Sequence, residues 1–138
     1  MVVVTLSEFG RTTKENSNEG TDHAEAGVMF VAGGAVKGYN KGNKTGVFGC
    51  SPGDSYNGQN IAWKTGDAGS MFGVSGRYLQ RAVDYRSVLG EVIRNHLGAT
   101  QEQLNRIIPG YAVAGEALRT GGISTKDGTR IAGELGIV

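Results

Sequence analysis

The sequence predicts an α/β domain: a mixed, mainly parallel sheet with flanking helices. Three observations point that way. Val2-Val3-Val4-Thr5-Leu6 is a continuous, largely β-branched run, the pattern of a strand buried on both faces. A second apolar run, Gly27-Val28-Met29-Phe30-Val31-Ala32-Gly33-Gly34, is bounded by glycine and fits a neighbouring core strand. Downstream of Asp84 the apolar residues switch to helical spacing.

The chain has 138 residues, the size of one ordinary domain and enough for a sizeable core. Net charge is +1, so bulk electrostatics point neither to nucleic acid nor to an anionic membrane surface. Twenty-four glycines imply many turns and long loops. A single cysteine, Cys50, excludes an intrachain disulfide and says little about compartment. No apolar run approaches the ~18 residues needed to span a bilayer. Val2 to Leu6 is too short for the apolar region of a secretion signal and lacks a basic leader. Because the chain opens directly in a core-type strand, upstream sequence is expected to have preceded it. The chain then reads as the C-terminal part of something larger, needing a second copy or a partner chain to cover that strand.

After the first strand, residues 12–21 (TTKENSNEGT) are polar, with Asn16, Ser17, Asn18 and Gly20 as turn formers. They form a solvated loop that delivers Asp22 and His23 to the second run. Lys37 to Lys44 reads as an exposed turn, and residues 46–49 as a short return strand in a hairpin with residues near 35–37. Residues 50–76 are irregular, with Trp63, Met71 and Phe72 as scattered apolar pins; so long a loop usually carries function or packs on a partner. Residues 77–83 fit a short edge strand. Asp84 is a good N-cap, and Tyr85, Val88, Leu89, Val92, Ile93, His96 and Leu97 trace one helical face that stops at Gly98. Thr100 and Gln103 form a capping box for a second, short helix holding Leu104, Ile107 and Ile108, which ends before Pro109. Residues 110–138 are glycine-rich, with Ile131, Leu135, Ile137 and Val138 tying the tail down. No repeat or linker divides the chain, so 1–138 is treated as a single domain piece.

The only dense cluster of potential metal ligands lies in the two connections around the first strands. Glu8, directly after a buried strand, is placed to bind a divalent cation or a substrate hydroxyl; the alternatives are a turn cap or an ion pair with Arg11. Asp22 and His23 offer an oxygen and an imidazole nitrogen suited to Zn, Mn or Fe; the alternative is an Asx-turn with a solvent-facing histidine. Arg11 could hold an oxyanion such as phosphate or sulfate, or pair with Glu8. His96 reads as a packed histidine near a helix C-terminus. Cys50 has no basic neighbour to activate it and reads as inert. Lys37, Lys41 and Lys44 read as a solvated turn. Phosphate-loop, CxxC, HExxH and GxSxG motifs are absent from the sequence.

Val2-Val-Val-Thr-Leu-Ser-Glu-Phe-Gly-Arg11, then Gly20-Thr-Asp-His23, then Val28-Met-Phe-Val-Ala-Gly-Gly-Ala-Val-Lys-Gly38, then Val47-Phe-Gly49 resembles the C-terminal part of the bacterial family called domain of unknown function 1501. Val83-Asp-Tyr-Arg-Ser-Val88 followed by His96-Leu-Gly98 also resembles that family, so the likeness covers residues 1–98. Residues 99–138, a short helix and a glycine-rich tail, stand outside it. The family is similar to the alkaline phosphatase and sulfatase superfamily. That likeness implies a mainly parallel sheet between helices and a binuclear metal site at the strand ends. Many superfamily members carry Asp-His-Gly after a buried strand. Here Ser7-Glu8-Phe9-Gly10 stands in that place, so Glu8 matches the carboxylate and Phe9 replaces the histidine. His23 matches a later superfamily histidine that precedes the next core strand.

The resemblance therefore implies a segment of a metallohydrolase acting on phosphate or sulfate esters. Glu8, Asp22 and His23 would be ligands to Zn or Mn, and Arg11 would contact the anion. The nucleophile and first metal carboxylate of the superfamily lie in an N-terminal half that this chain lacks; Ser7 and Thr21 are the nearby hydroxyls. Full-length relatives imply a periplasmic or secreted setting. The other reading is a non-catalytic binding or structural module that assembles with itself or a partner chain.

Overall fold

A computed structural model describes residues 1–37, 46, 48, 55–56, 59–60, 77–79, 81–111, 118–121 and 131–138. Strands β1 (Val2–Val4), β2 (Gly10–Arg11), β3 (His23–Ala24) and β4 (Val31–Gly33) come first. Two very short strands follow, β5 (Ser55–Tyr56) and β6 (Gln59–Asn60), and then helices α1 (Tyr85–Asn95) and α2 (Gln101–Ile107). Each ladder is two-stranded and antiparallel: β1 with β4, β2 with β3, β5 with β6. Strands come early and helices late, an α+β order rather than alternation.

This corrects the expected mainly parallel sheet. Parallel neighbours need a crossover of a dozen or more residues, usually a helix. Between β1 and β4 the chain instead folds back on itself through the β2–β3 ladder, so β4 returns antiparallel, pairing Val2 with Gly33, Val3 with Ala32 and Val4 with Val31. Thr5 prolongs the pairing: its amide donates to the Phe30 carbonyl at 2.9 Å, and its hydroxyl accepts from the Phe30 amide at 2.9 Å. The only parallel pairing among the described residues is an isolated bridge between Val83 and Ala132. The short return strand at 46–49, the apolar pins at 63, 71 and 72, and Cys50 fall largely outside the described residues. So do the Lys41 and Lys44 positions.

The helices form where the sequence places them. Asp84 caps α1 by accepting from the Arg86 amide at 2.9 Å, and the helix ends beyond His96, where Gly98 takes a φ of 71°. That left-handed value costs glycine nothing. Thr100 and Gln103 close both bonds of a capping box on α2. Leu104 and Ile108, with Tyr111 and Leu118, form a buried cluster against which Leu89 and Ile93 of α1 pack. The ends of the α1 stripe, Tyr85 and Leu97, stay exposed.

The opposite side of α1 is also buried, which helical spacing did not anticipate. Glu91 is 0% exposed and sits among backbone donors. One carboxylate oxygen accepts from the Leu135 and Gly136 amides at 2.6 and 3.0 Å, and the other from the Val138 amide at 3.1 Å. The residue thus fastens the 131–138 segment along α1. The same segment reaches the first part of the chain: the Lys37 amide donates to the Ile137 carbonyl at 2.7 Å and its ammonium to the Val138 backbone oxygen at 3.0 Å. Arg94 pairs with Glu134, and the Tyr111 hydroxyl lies 3.0 Å from both the Ser87 carbonyl and Glu134 Oε1. Gly90 makes room for that ring, since a Cβ there would come within 2.0 Å of it.

Burial pushes the Tyr111 phenol above its ordinary range, and its hydrogen bond to Glu134 and the charge of Glu134 push the same way. Neutral Tyr111 therefore adds stability in full below about pH 10, and this is lost as pH rises beyond it. Urea midpoints should fall above about pH 10, and less steeply in Tyr111→Phe, which should already be weaker at neutral pH. Burial raises the Asp84 carboxyl, but hydrogen bonds from Arg86 and the charges of Arg86 and Arg81 outweigh it and hold it below its usual value. Its share of stability is present above about pH 4 and fades on acidification. Glu91→Ala, which strands three amides, should cost on the order of 3 kcal/mol in urea unfolding, with Glu91→Gln milder.

Candidate functional site

The β2–β3 ladder carries the residues singled out in the sequence. It pairs Gly10 with Ala24 and Arg11 with His23. One more rung follows, because the Thr12 amide donates to the Asp22 carbonyl at 3.0 Å and the Asp22 amide donates to the Thr12 hydroxyl at 3.1 Å. Successive residues of a strand point to opposite faces, and directly paired residues share one. Arg11 and His23 therefore share a face, while Gly10, Thr12 and Asp22 belong to the other. Burial agrees: Gly10 and Thr12 are buried, Arg11 and His23 exposed.

On the exposed face the three side chains stack. The Phe9 ring lies on the His23 imidazole, centroids 3.8 Å apart and planes at 19°. The Arg11 guanidinium also stands over the Phe9 ring, 5.0 Å from its centroid. Aromatic stacking and a cation over an aromatic face are each favourable by about 0.5–1.5 kcal/mol. Arg11 also donates to the Thr21 carbonyl at 2.8 Å. Its partner is thus the loop backbone and Phe9, not Glu8. Glu8 is exposed and, among the described residues, takes part in no hydrogen bond or ion pair.

The other face is a strut. Asp22 accepts from the Asn16 side-chain amide at 2.8 Å and pairs through its second oxygen with Arg77. Asn16 also accepts from the Asn18 and Gly20 amides at 3.0 and 3.1 Å, closing the polar loop on itself. The Thr13 amide donates to the Arg77 carbonyl at 2.8 Å, so the ladder is moored to the segment that leads into α1. Gly10 lets the chain pass close by: a Cβ there would lie 1.8 Å from the Ala26 carbonyl oxygen.

The structure thus brings Arg11 and His23 to one face and turns Asp22 to the other. Both Asp22 oxygens are already engaged, one by Asn16 and the other by Arg77. Among the described residues no group of three or more His, Cys, Asp and Glu side chains converges on one point. Phe9, Asn16 and Arg77 were not singled out as site residues in the sequence. Phe9 stood out only as the residue in place of a histidine, and Arg77 lies fifty-five positions from Asp22.

Residues 1–53, which contain this whole ladder, match a protein family described as "Protein of unknown function (DUF1501)". No curated protein and no solved structure matches the chain. The resemblance to that family is therefore established for the first part of the chain. Among the described residues no helix is long and apolar enough to cross a membrane.

Two substitutions separate packing from charge at this site. Gly10→Ala should destabilise the chain by about 1–3 kcal/mol in urea unfolding, because the Ala26 backbone must move. Arg77→Met removes an ion pair whose partners are 39% and 47% exposed, and should cost about 1 kcal/mol or less. The smaller loss should shrink further in high salt.

Proposed function

We propose that the exposed face of the β2–β3 ladder is one wall of the site of an alkaline-phosphatase-like or sulfatase-like hydrolase acting on phosphate or sulfate esters. The observation that carries this reading is the shared face of Arg11 and His23. A guanidinium with free donors beside an imidazole suits an oxyanion held next to a cation. Arg11 keeps donors beyond the one spent on Thr21, since guanidinium carries five N–H groups. Glu8, exposed at the exit of β1, and His23 would hold the cation, Zn or Mn. The cation would supply Lewis-acid polarisation of the ester oxygen. Phe9 fixes the imidazole plane, and Asp22 serves from behind by clamping the loop to Arg77. Two ligands do not complete a zinc site. The remaining ligands and the nucleophile would come from a further polypeptide, either a partner chain or a longer form of this one.

A second reading has its own support. Among the described residues, Val3, Val28 and Phe30 are exposed on one face of the β1–β4 ladder, which suits a non-catalytic module that works by assembly.

Metal content separates them. The purified chain, equilibrated with Zn or Mn and assayed by elemental analysis with the ion still present, should hold close to one ion per chain loosely, since it supplies only two of the ligands. Glu8→Ala and His23→Ala should each weaken retention by roughly tenfold or more. Arg11→Ala should keep the metal but lose affinity for inorganic phosphate and sulfate. A chain that retains no metal, with all three variants indistinguishable from it, leaves only the assembly reading.

A further inference from the structure

We propose that residues 131–138 form a clasp that opens as one unit, freeing the end of the β1–β4 ladder from α1 while the α1–α2 core stays folded. The closed clasp reaches several parts of the chain at once. The Ala132 amide donates to the Ala82 carbonyl at 2.9 Å, beside the parallel bridge to Val83, and the Glu134 amide donates to the Arg119 carbonyl at 3.0 Å. The Leu135, Gly136 and Val138 amides converge on Glu91, and the Lys37 amide donates to the Ile137 carbonyl. Val138 touches α1 a second time, where the Asn95 side-chain amide donates to its backbone oxygen at 3.4 Å.

Two features make this segment a unit of its own. First, Ala132 is buried in one cluster with Ala82, Val83 and Leu135, whereas Leu104, Ile108, Tyr111 and Leu118 form another with Leu89 and Ile93. Both helices also carry their own caps, and Tyr111 has the Ser87 carbonyl as a partner besides Glu134. Opening the clasp therefore leaves the helical cluster in place. Second, three amides of the segment depend on one carboxylate, so they are made and lost together rather than one by one. Ile131 and Ile137 are 5% and 4% exposed, so burial holds the clasp closed and the open form is a minor state. Release of Ile137 and Val138 undoes both bonds of Lys37, which lies just beyond β4. The mooring of the β2–β3 ladder through Asp22 and Arg77 is untouched by that step.

The test is native-state hydrogen exchange of the full chain, followed residue by residue by nuclear magnetic resonance. The amides of Lys37, Ala132, Glu134, Leu135, Gly136 and Val138 should share one protection factor, at least about tenfold below that of the slowest α1 amides. Glu91→Gln should lower all six together by about tenfold or more. That set includes Lys37, Ala132 and Glu134, whose amides bond to carbonyls rather than to Glu91. Ile108→Val, a mild change in the helical cluster, should lower the protection of the slowest α1 amides several-fold and leave the six unchanged. Six unrelated protection factors, or a Glu91→Gln effect confined to Leu135, Gly136 and Val138, would show separate local openings and overturn the inference. An Ile108→Val effect as large on the six as on α1 would show that they open only with the whole fold, and overturns it equally. No metal enters the readout, so the outcome is independent of the hydrolase reading.

Discussion

The two-residue alternation of a short antiparallel ladder governs what this chain can do. Because Arg11 pairs with His23 and Thr12 with Asp22, adjacent residues of one loop are sent to opposite faces. The imidazole goes out with the guanidinium, and the carboxylate goes in toward Arg77. A sequence that reads Asp-His as a pair of ligands becomes, in space, an exposed imidazole and a carboxylate that moors its loop. Slipping the register by one residue would exchange them, turning His23 inward and Asp22 outward. The close approach at Gly10 and the Asn16 loop closure both act against such a slip.

The ladder in turn depends on distant anchors. Arg77 ties it to the segment entering α1, and Lys37 ties the end of the apolar hairpin to Ile137 and Val138. That C-terminal segment is held by Glu91, a carboxylate removed from water and surrounded by three backbone amides. Burying a carboxylate is costly unless hydrogen bonds replace its hydration, and here they do. The packed part of the molecule lies around α1. The exposed Arg11 and His23 lie on the ladder, and polar contacts of specific geometry join the two.

The sequence made some of this legible and not the rest, for physical reasons. Helix ends were readable because capping is local: Asp84, Thr100, Gln103 and Gly98 act within a few residues of themselves. The apolar face of α1 was readable from spacing. Strand direction was not. Val2 to Leu6 looks alike whether it lies in a buried parallel sheet or in an antiparallel hairpin with one face open, because direction is set by the connection rather than by the strand. Glu91 was missed because a glutamate in a helix ordinarily faces water, and its three donors lie more than forty positions away. Arg11, Asp22 and His23 were found as a group, but their division between two faces follows from pairing that only coordinates supply. Phe9 stood out in the sequence only as the residue in place of an expected superfamily histidine; in the structure it is the plate on which His23 rests.

The account turns on one face of the ladder being the working face. The most direct measurement is a nuclear magnetic resonance titration of the chain with zinc, following the His23 ring, the Arg11 side chain and the Asn16 side-chain amide together. The account predicts that the His23 and Arg11 signals move with bound zinc while the Asn16 amide, hydrogen-bonded to Asp22, stays in place. Movement of the Asn16 amide with a still His23 ring would put the cation on the inner face and contradict it.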